Sequence, residues 1–149
     1  MRTRDLEWLN SGLVREVSYE TEAVEKNTKP HEIETAKRIA KHGIVPHFVQ
    51  DFKWITDEKG KHKVGLPDLI NGIELKTPLD SRNPVTAMRN YLENVRDKKE
   101  GVTRIIVDNT DSNFSDEELL KAATDVLPDY PSTPVLTILK KDGKLKNIN

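Results

Sequence analysis

A chain of 149 residues with a formal net charge of -1 and no cysteine is long enough for one domain with a real core and too short for a second independent one. The missing cysteine excludes a disulfide framework, a thiolate zinc site and a cysteine nucleophile. A pI near 6.4 excludes a general nucleic-acid coat, which needs a large basic excess, but leaves room for a local basic groove.

No apolar run approaches the roughly 18 residues of a membrane span. The start, MRTRDLEWLN, lacks the apolar centre of a secretory signal, so the chain reads as cytosolic. Residues 1–28 read as an extension that packs on or leads into the core, and 29–149 as the domain proper. Within the extension, Leu6, Trp8, Leu9, Leu13, Val14 and Val17 fit one amphipathic helix, or a short helix and then a strand through Tyr19. The polar stretch from Glu20 to Lys29 reads as a linker or loop.

Pro30 then opens a helix, where a missing amide hydrogen costs nothing. Glu32, Ile33, Ala36, Ile39 and Ala40 share one face of it, and Gly43 supplies a stop. IVPHFVQDFKWI reads as a strand region interrupted by Pro46, DEKGKHK as a polar turn, and LPDLINGIELKTP as a hairpin of central rather than edge strands. From Pro84 to Lys98, Val85, Met88, Leu92 and Val95 mark an apolar helical stripe. VTRIIV at 102–107 reads as a buried strand, SDEE at 115–118 as the capping box of a helix running to Pro128, and VLTILKK as a last strand. The alternation of helices and strands predicts an α/β domain with a mixed sheet flanked by helices.

The chemistry concentrates in GLPDLINGIELKTP, residues 65–78. Asp68, Glu74 and Lys76 interrupt apolar runs, and charges in such a place are costly unless they pair or hold a metal. A two-residue Asn-Gly turn would send Asp68 and Glu74 to opposite faces of a sheet. A three-residue Ile70-Asn71-Gly72 loop, with Gly72 at positive φ, pairs Leu69 with Ile73 and sets Asp68, Glu74 and Lys76 on one face. The second register is the one expected, with Leu69, Ile73 and Leu75 in the core. Two carboxylates on adjacent strands then suit a hard cation such as Mg2+ (or Mn2+), which takes oxygen ligands and keeps several waters. Lys76 beside them is placed to orient a water or to stabilise charge growing on a phosphate. A solvent-facing hairpin with an ion pair is the simpler alternative.

Pro67-Asp68 followed by Glu74-Leu75-Lys76 resembles the PD-(D/E)xK nuclease signature. The wider pattern, a helix with Glu32, Ala36 and Gly43, then this stretch, then a helix and an IIVD strand, resembles the C-terminal tRNase domain of CdiA-type contact-dependent growth inhibition toxins over residues 30 to 140. The resemblance implies a restriction-endonuclease-like core over 29–149, Mg-dependent phosphodiester hydrolysis, and tRNA as substrate. It implies Asp68 and Glu74 as metal ligands, Lys76 as the catalytic lysine, and Glu32 as a helix-borne acid, with Glu34 competing for that place. It also implies a cognate immunity protein and action in the cytosol of a target cell after delivery. Two other readings stand beside it: a DNase of the same fold from a phage or mobile element, and an inactive nuclease-fold nucleic-acid-binding module.

Lys53, Trp54, Lys59, Lys61, His62 and Lys63 interleave charge with an aromatic ahead of the hairpin, a pattern suited to phosphate contact plus base stacking. Arg82, Arg89 and Arg96, seven residues apart, are further candidates for phosphate contact. The histidines at 31, 42, 47 and 62 have no metal-ligand spacing, and Asp108 reads as turn chemistry at a strand end.

Overall fold

The computed structural model describes residues 15–79 and 82–149. In chain order the elements are β1 (Ser18–Tyr19), α1 (Glu22–Asn27), α2 (Pro30–Ala40), β2 (His47–Phe48), β3 (Phe52–Asp57), β4 (Gly60–Gly65), β5 (Ile73–Lys76), α3 (Pro84–Lys98), β6 (Arg104–Asp108), α4 (Asp116–Val126), a 3-10 turn (Leu127–Asp129), β7 (Val135–Leu139) and β8 (Leu145–Asn147). Of the helix expected from Leu6 to Val17, residues 6–14 lie outside the described residues and 15–17 are not helical, while β1 is the strand through Tyr19 of the alternative reading.

The frame is a four-stranded sheet in the order β5-β6-β7-β8. β5, β6 and β7 run parallel, and β8 returns antiparallel to β7. Both faces of β6 are covered, so Ile105, Ile106 and Val107 form an unbroken apolar run with no exposed surface. Side chains alternate along the strand. Ile105 and Val107 therefore meet Met88, Leu92 and Val95 of α3 and Leu119 and Ala123 of α4. Ile106 turns the other way, with Ile73, Leu75 and Leu139, onto Ala36 and Ile39 of α2. The expected α/β domain, a mixed sheet between helices, is the architecture found.

Local signals fix the helix starts. Asn83 accepts hydrogen bonds from the amides of Val85 and Thr86 ahead of Pro84. Ser115 and Glu118 complete the capping box at the start of α4. Other expectations need correction. The stretch from Glu20 to Lys29 is not all loop, because Thr21 caps α1 by accepting from the Val24 amide at 3.2 Å. Only Val24 of that helix is buried, too little for a periodic pattern. Lys61, His62 and Lys63 lie within β4, which pairs with β3 as a separate two-stranded ribbon, so DEKGKHK is mostly strand. β8, after Gly143, went unforeseen.

The 69–73 loop has the expected form. The Leu69 amide donates to the Ile73 carbonyl at 3.1 Å and the Gly72 amide to that of Leu69 at 3.0 Å. Gly72 has φ +83°, and a Cβ there would stand 2.7 Å from Thr103 Oγ1. The arms are not a hairpin of paired strands. Leu69 forms an antiparallel bridge to Phe48, while β5 pairs with β6 and is the edge of the sheet rather than a central strand. The Asp68 side chain occupies that edge: its Oδ2 accepts from the Leu75 amide at 2.8 Å, where a neighbouring strand would supply a carbonyl.

Candidate active site

Glu74 lies in the middle of β5, beside Ile105 in register, and so points to the α3 side of the sheet. Asp68 reaches it from the edge. Both are buried, Asp68 at 7% and Glu74 at 2% exposure. Glu74 Oε2 lies 3.3 Å from Lys76 Nζ and 3.3 Å from Lys99 Nζ. Its other oxygen, Oε1, is buried and has no hydrogen-bond partner among the described residues. Lys76 Nζ also donates to Asn94 Oδ1 of α3 at 2.7 Å, and Lys99 Nζ to the Leu66 carbonyl at 3.3 Å.

Glu32 lines a cleft of about 180 Å³ with Asp68, Val24, Phe48 and Phe52. It also accepts from the Lys29 amide at 3.0 Å, closing the first turn of α2. Glu34, the competing acid, is exposed and paired with Lys37. Burial raises the Asp68 carboxyl well above its ordinary range; the Glu74 charge adds to this, and the Glu32 charge and a proton shared with the Glu74 carboxylate contribute further, against the Leu75 amide.

These residues fit a hard divalent cation. A carboxylate oxygen buried without a partner is an unsatisfied acceptor costing about 1–3 kcal/mol, and it stands beside a second carboxylate whose ionised form has no cationic partner among the described residues. Asp68 and Glu74 are the groups that could hold such a cation. Among the described residues no three His, Cys, Asp or Glu side chains cluster closely enough to share one, so water and substrate would complete the coordination, as Mg2+ prefers.

The raised Asp68 carboxyl has a stability consequence with a definite sign. Its native form keeps a proton that the unfolded chain releases near pH ~3.9, so stability falls as pH rises from there through the higher folded value. Asp68→Asn keeps an oxygen to accept the Leu75 amide and removes the charge. In EDTA at neutral pH the variant is expected to melt at a higher temperature than the parent, with the gain vanishing below about pH 4; an equal or lower melting temperature at pH 7 would contradict this balance of charges.

Beyond the carboxylates, one face of the ribbon alternates Phe52 and Trp54 with Lys61 and Lys63. The Lys63 ammonium lies 4.3 Å from the Phe52 ring centroid, and Lys61 lies 5.2 Å from that of Trp54. Between the ribbon and the last turn of α3 runs a groove of about 710 Å³ bordered by His62, Lys63, Arg96, Lys98 and Lys99 and by the acids Asp97 and Glu100. Lys53 is paired with Glu100 at 2.9 Å. Arg82 and Arg89 do not line this groove; Arg89 turns instead to Asp129 at 2.9 Å, and Arg82 is exposed ahead of the α3 cap. The histidines stay apart: His42 bonds the Gly143 carbonyl, His47 meets Ser18, and His62 lies near Asp57. The sequence reading missed Lys99 and Asn94, whose places are set by packing rather than by any local motif.

No family model matches the sequence, and no curated protein matches it. Among solved structures, the chain is similar to a chain of the "CdiA-CT/CdiI toxin and immunity complex from Burkholderia pseudomallei", with a TM-score of 0.55 and 16% identity over 89% of this chain and 98% of that one. At this identity the likeness is one of fold.

Proposed function

We propose that the chain is a divalent-cation-dependent nuclease that hydrolyses phosphodiester bonds, with tRNA as its substrate and a toxin's role of the contact-dependent growth inhibition kind. The observation that carries the reading is the state of Glu74: one oxygen is held by lysines and the other is buried and unpartnered beside Asp68. A PD-(D/E)xK centre needs this set of groups. The fold shared with a chain of a toxin and immunity complex supports the toxin role and a cognate immunity partner.

In this reading Asp68 and Glu74 would hold Mg2+ or Mn2+, which when bound would supply Lewis acidity toward a phosphoryl oxygen. Lys76, fixed by Asn94, presents its ammonium to the phosphoryl oxygen on which charge grows, and being already oriented it needs little reorganisation. Glu32 is the helix-borne acid of the same cleft. Lys61 and Lys63 hold the backbone, and Trp54 offers a stacking face to an unpaired base. An acidic partner over the basic ribbon would block all of these contacts at once. Among the described residues, no helix is long and apolar enough to cross a membrane.

The test incubates the purified protein and its Lys76→Ala variant with total tRNA and with plasmid DNA, each in Mg2+ or EDTA. tRNA cleavage lost in EDTA and in the variant, with the plasmid intact, is the expected result. Nicking of the plasmid instead would move the substrate to DNA. Neither polymer cut, with the circular dichroism spectrum of a folded protein, would overturn the nuclease reading in favour of a binding module.

A further inference from the structure

Lys99 follows the last residue of α3 and leaves the helix with extended backbone, φ -122° and ψ 144°. Its stem crosses Gly65: a Cβ at position 65 would stand 2.8 Å from Lys99 Cδ and 2.5 Å from the Lys98 carbonyl oxygen. The missing side chain at Gly65 is what lets the lysine through. The Glu100 amide then donates to the Gly65 carbonyl at 2.9 Å, locking the crossing. So guided, the ammonium ends at Glu74 Oε2, with its side chain only 15% exposed.

Glu74 thus has two ammonium partners for one charge, and they differ in their other commitments. Lys76 has a second strong partner inside the site, Asn94 Oδ1 at 2.7 Å. Among the described residues Lys99 has only the Leu66 carbonyl besides, at 3.3 Å, and its stem borders the groove that Lys63, Arg96 and Lys98 also line, with Asp97 and Glu100 paired to Arg96 and Lys53. A divalent cation on Glu74 would stand within a few ångströms of both ammoniums, a repulsion that the buried setting screens weakly. Of the two, Lys99 has less to hold it and an open place to go.

We propose that Lys99 is a second working lysine of the centre: its ammonium competes with a divalent cation for Glu74 and, once displaced, contacts the phosphodiester backbone of a nucleic acid lying in the groove. The inference rests on the nuclease reading and deepens it. It gives the two lysines separate tasks, Lys76 toward the reacting phosphate and Lys99 toward substrate capture.

The test uses Lys99→Met, which keeps the stem over Gly65 and removes the charge, and Lys99→Arg, which keeps the charge. Calorimetric titration of the full chain with Mn2+ alone is expected to show Lys99→Met binding the ion about tenfold tighter than the parent, because a nearby positive charge has gone. Lys99→Arg should bind it like the parent. In cleavage assays at saturating Mn2+, Lys99→Met should show a raised KM for RNA with kcat little changed. If Lys99 were only a strap between Leu66 and β5, its loss would weaken Mn2+ binding together with thermal stability. Unchanged or weaker Mn2+ binding by Lys99→Met would overturn the inference alone; a parent protein that binds no Mn2+ would overturn the metal reading beneath it.

Discussion

Glu74→Gln is expected to lower phosphodiester cleavage by about 10²- to 10³-fold, the usual scale for removing one preorganised electrostatic group from a reacting centre, while the protein remains folded. Gln preserves the volume in the middle of β5 and one oxygen acceptor. What it removes is the charge shared by Lys76 and Lys99 and the second anionic oxygen. Breaking a fully buried ion pair costs about 3–5 kcal/mol when the remaining charge stays trapped. Here the remaining charges are lysines whose side chains are 18% and 15% exposed, and such long stems can carry an ammonium outward to water. Single-turnover cleavage read together with the melting temperature separates the two effects. A loss of activity that merely follows the folded fraction would reassign Glu74 to a structural role.

Asp68 and Glu74 work against folding for the reason that makes them suited to an ion. Asp68 is crowded by burial and by neighbouring negative charge, and among the described residues Glu74 Oε1 is desolvated with no donor when Asp68 is ionised. A sheet edge built only for stability would place Asn at position 68. The expected rise in stability of Asp68→Asn and the expected fall in activity of Glu74→Gln are two sides of one arrangement, in which the proposed site would draw on groups that cost local stability.

Much of this frame was legible because its signals are local. The stripe from Pro84 to Lys98 and the Ser115–Glu118 box depend on residues three or four apart, and the apolar run of β6 follows from burial on both faces. Gly72 was legible for the same reason, since a three-residue loop needs positive φ at its last position. The partner of β5 was not. A strand of four residues carrying Glu and Lys does not name its neighbour, and the Asp68 side chain at its edge replaced the strand pairing that the two arms had suggested. Lys99 was invisible because a lysine at a helix C-terminus is ordinary; only the contact with Gly65, far back in the chain, shows where it is aimed. Asp108 was half legible. Its bonds to the Thr110 amide and hydroxyl are the turn chemistry expected, but its other oxygen accepts from Thr35 and Arg38 of α2, 73 and 70 residues away.

Those distant bonds make Asp108→Ala the substitution expected to cost most stability, about 3–5 kcal/mol, the range for removing one member of a buried ionic cluster. Asp108 is 1% exposed at the end of β6. Its Oδ2 accepts from Thr35 Oγ1 at 2.5 Å and from Arg38 Nη1 at 2.8 Å, tying α2 to the sheet. Arg38 keeps a second partner in Asp111 at 2.8 Å, which softens the loss on that side. Among the described residues, the hydroxyl of Thr35, which has no exposed surface, retains only the His31 carbonyl. Burial pushes the Asp108 carboxyl upward, but hydrogen bonds from Thr110 and Thr35, then Arg38, outweigh it and hold the group below its ordinary range. The sign follows: with the folded value depressed, the stabilisation is complete above the unfolded pKa of ~3.9 and is lost as pH falls through the lower folded value. Denaturant unfolding of the parent and of Asp108→Ala at several pH values should therefore give a gap that is constant near neutrality and closes in acid. Because α2 also carries Glu32 into the cleft beside Asp68, cleavage should fall even at temperatures where Asp108→Ala is fully folded; full activity of the folded variant would show that α2 is held in register by its apolar contacts with Ile73, Leu75 and Ile106 alone.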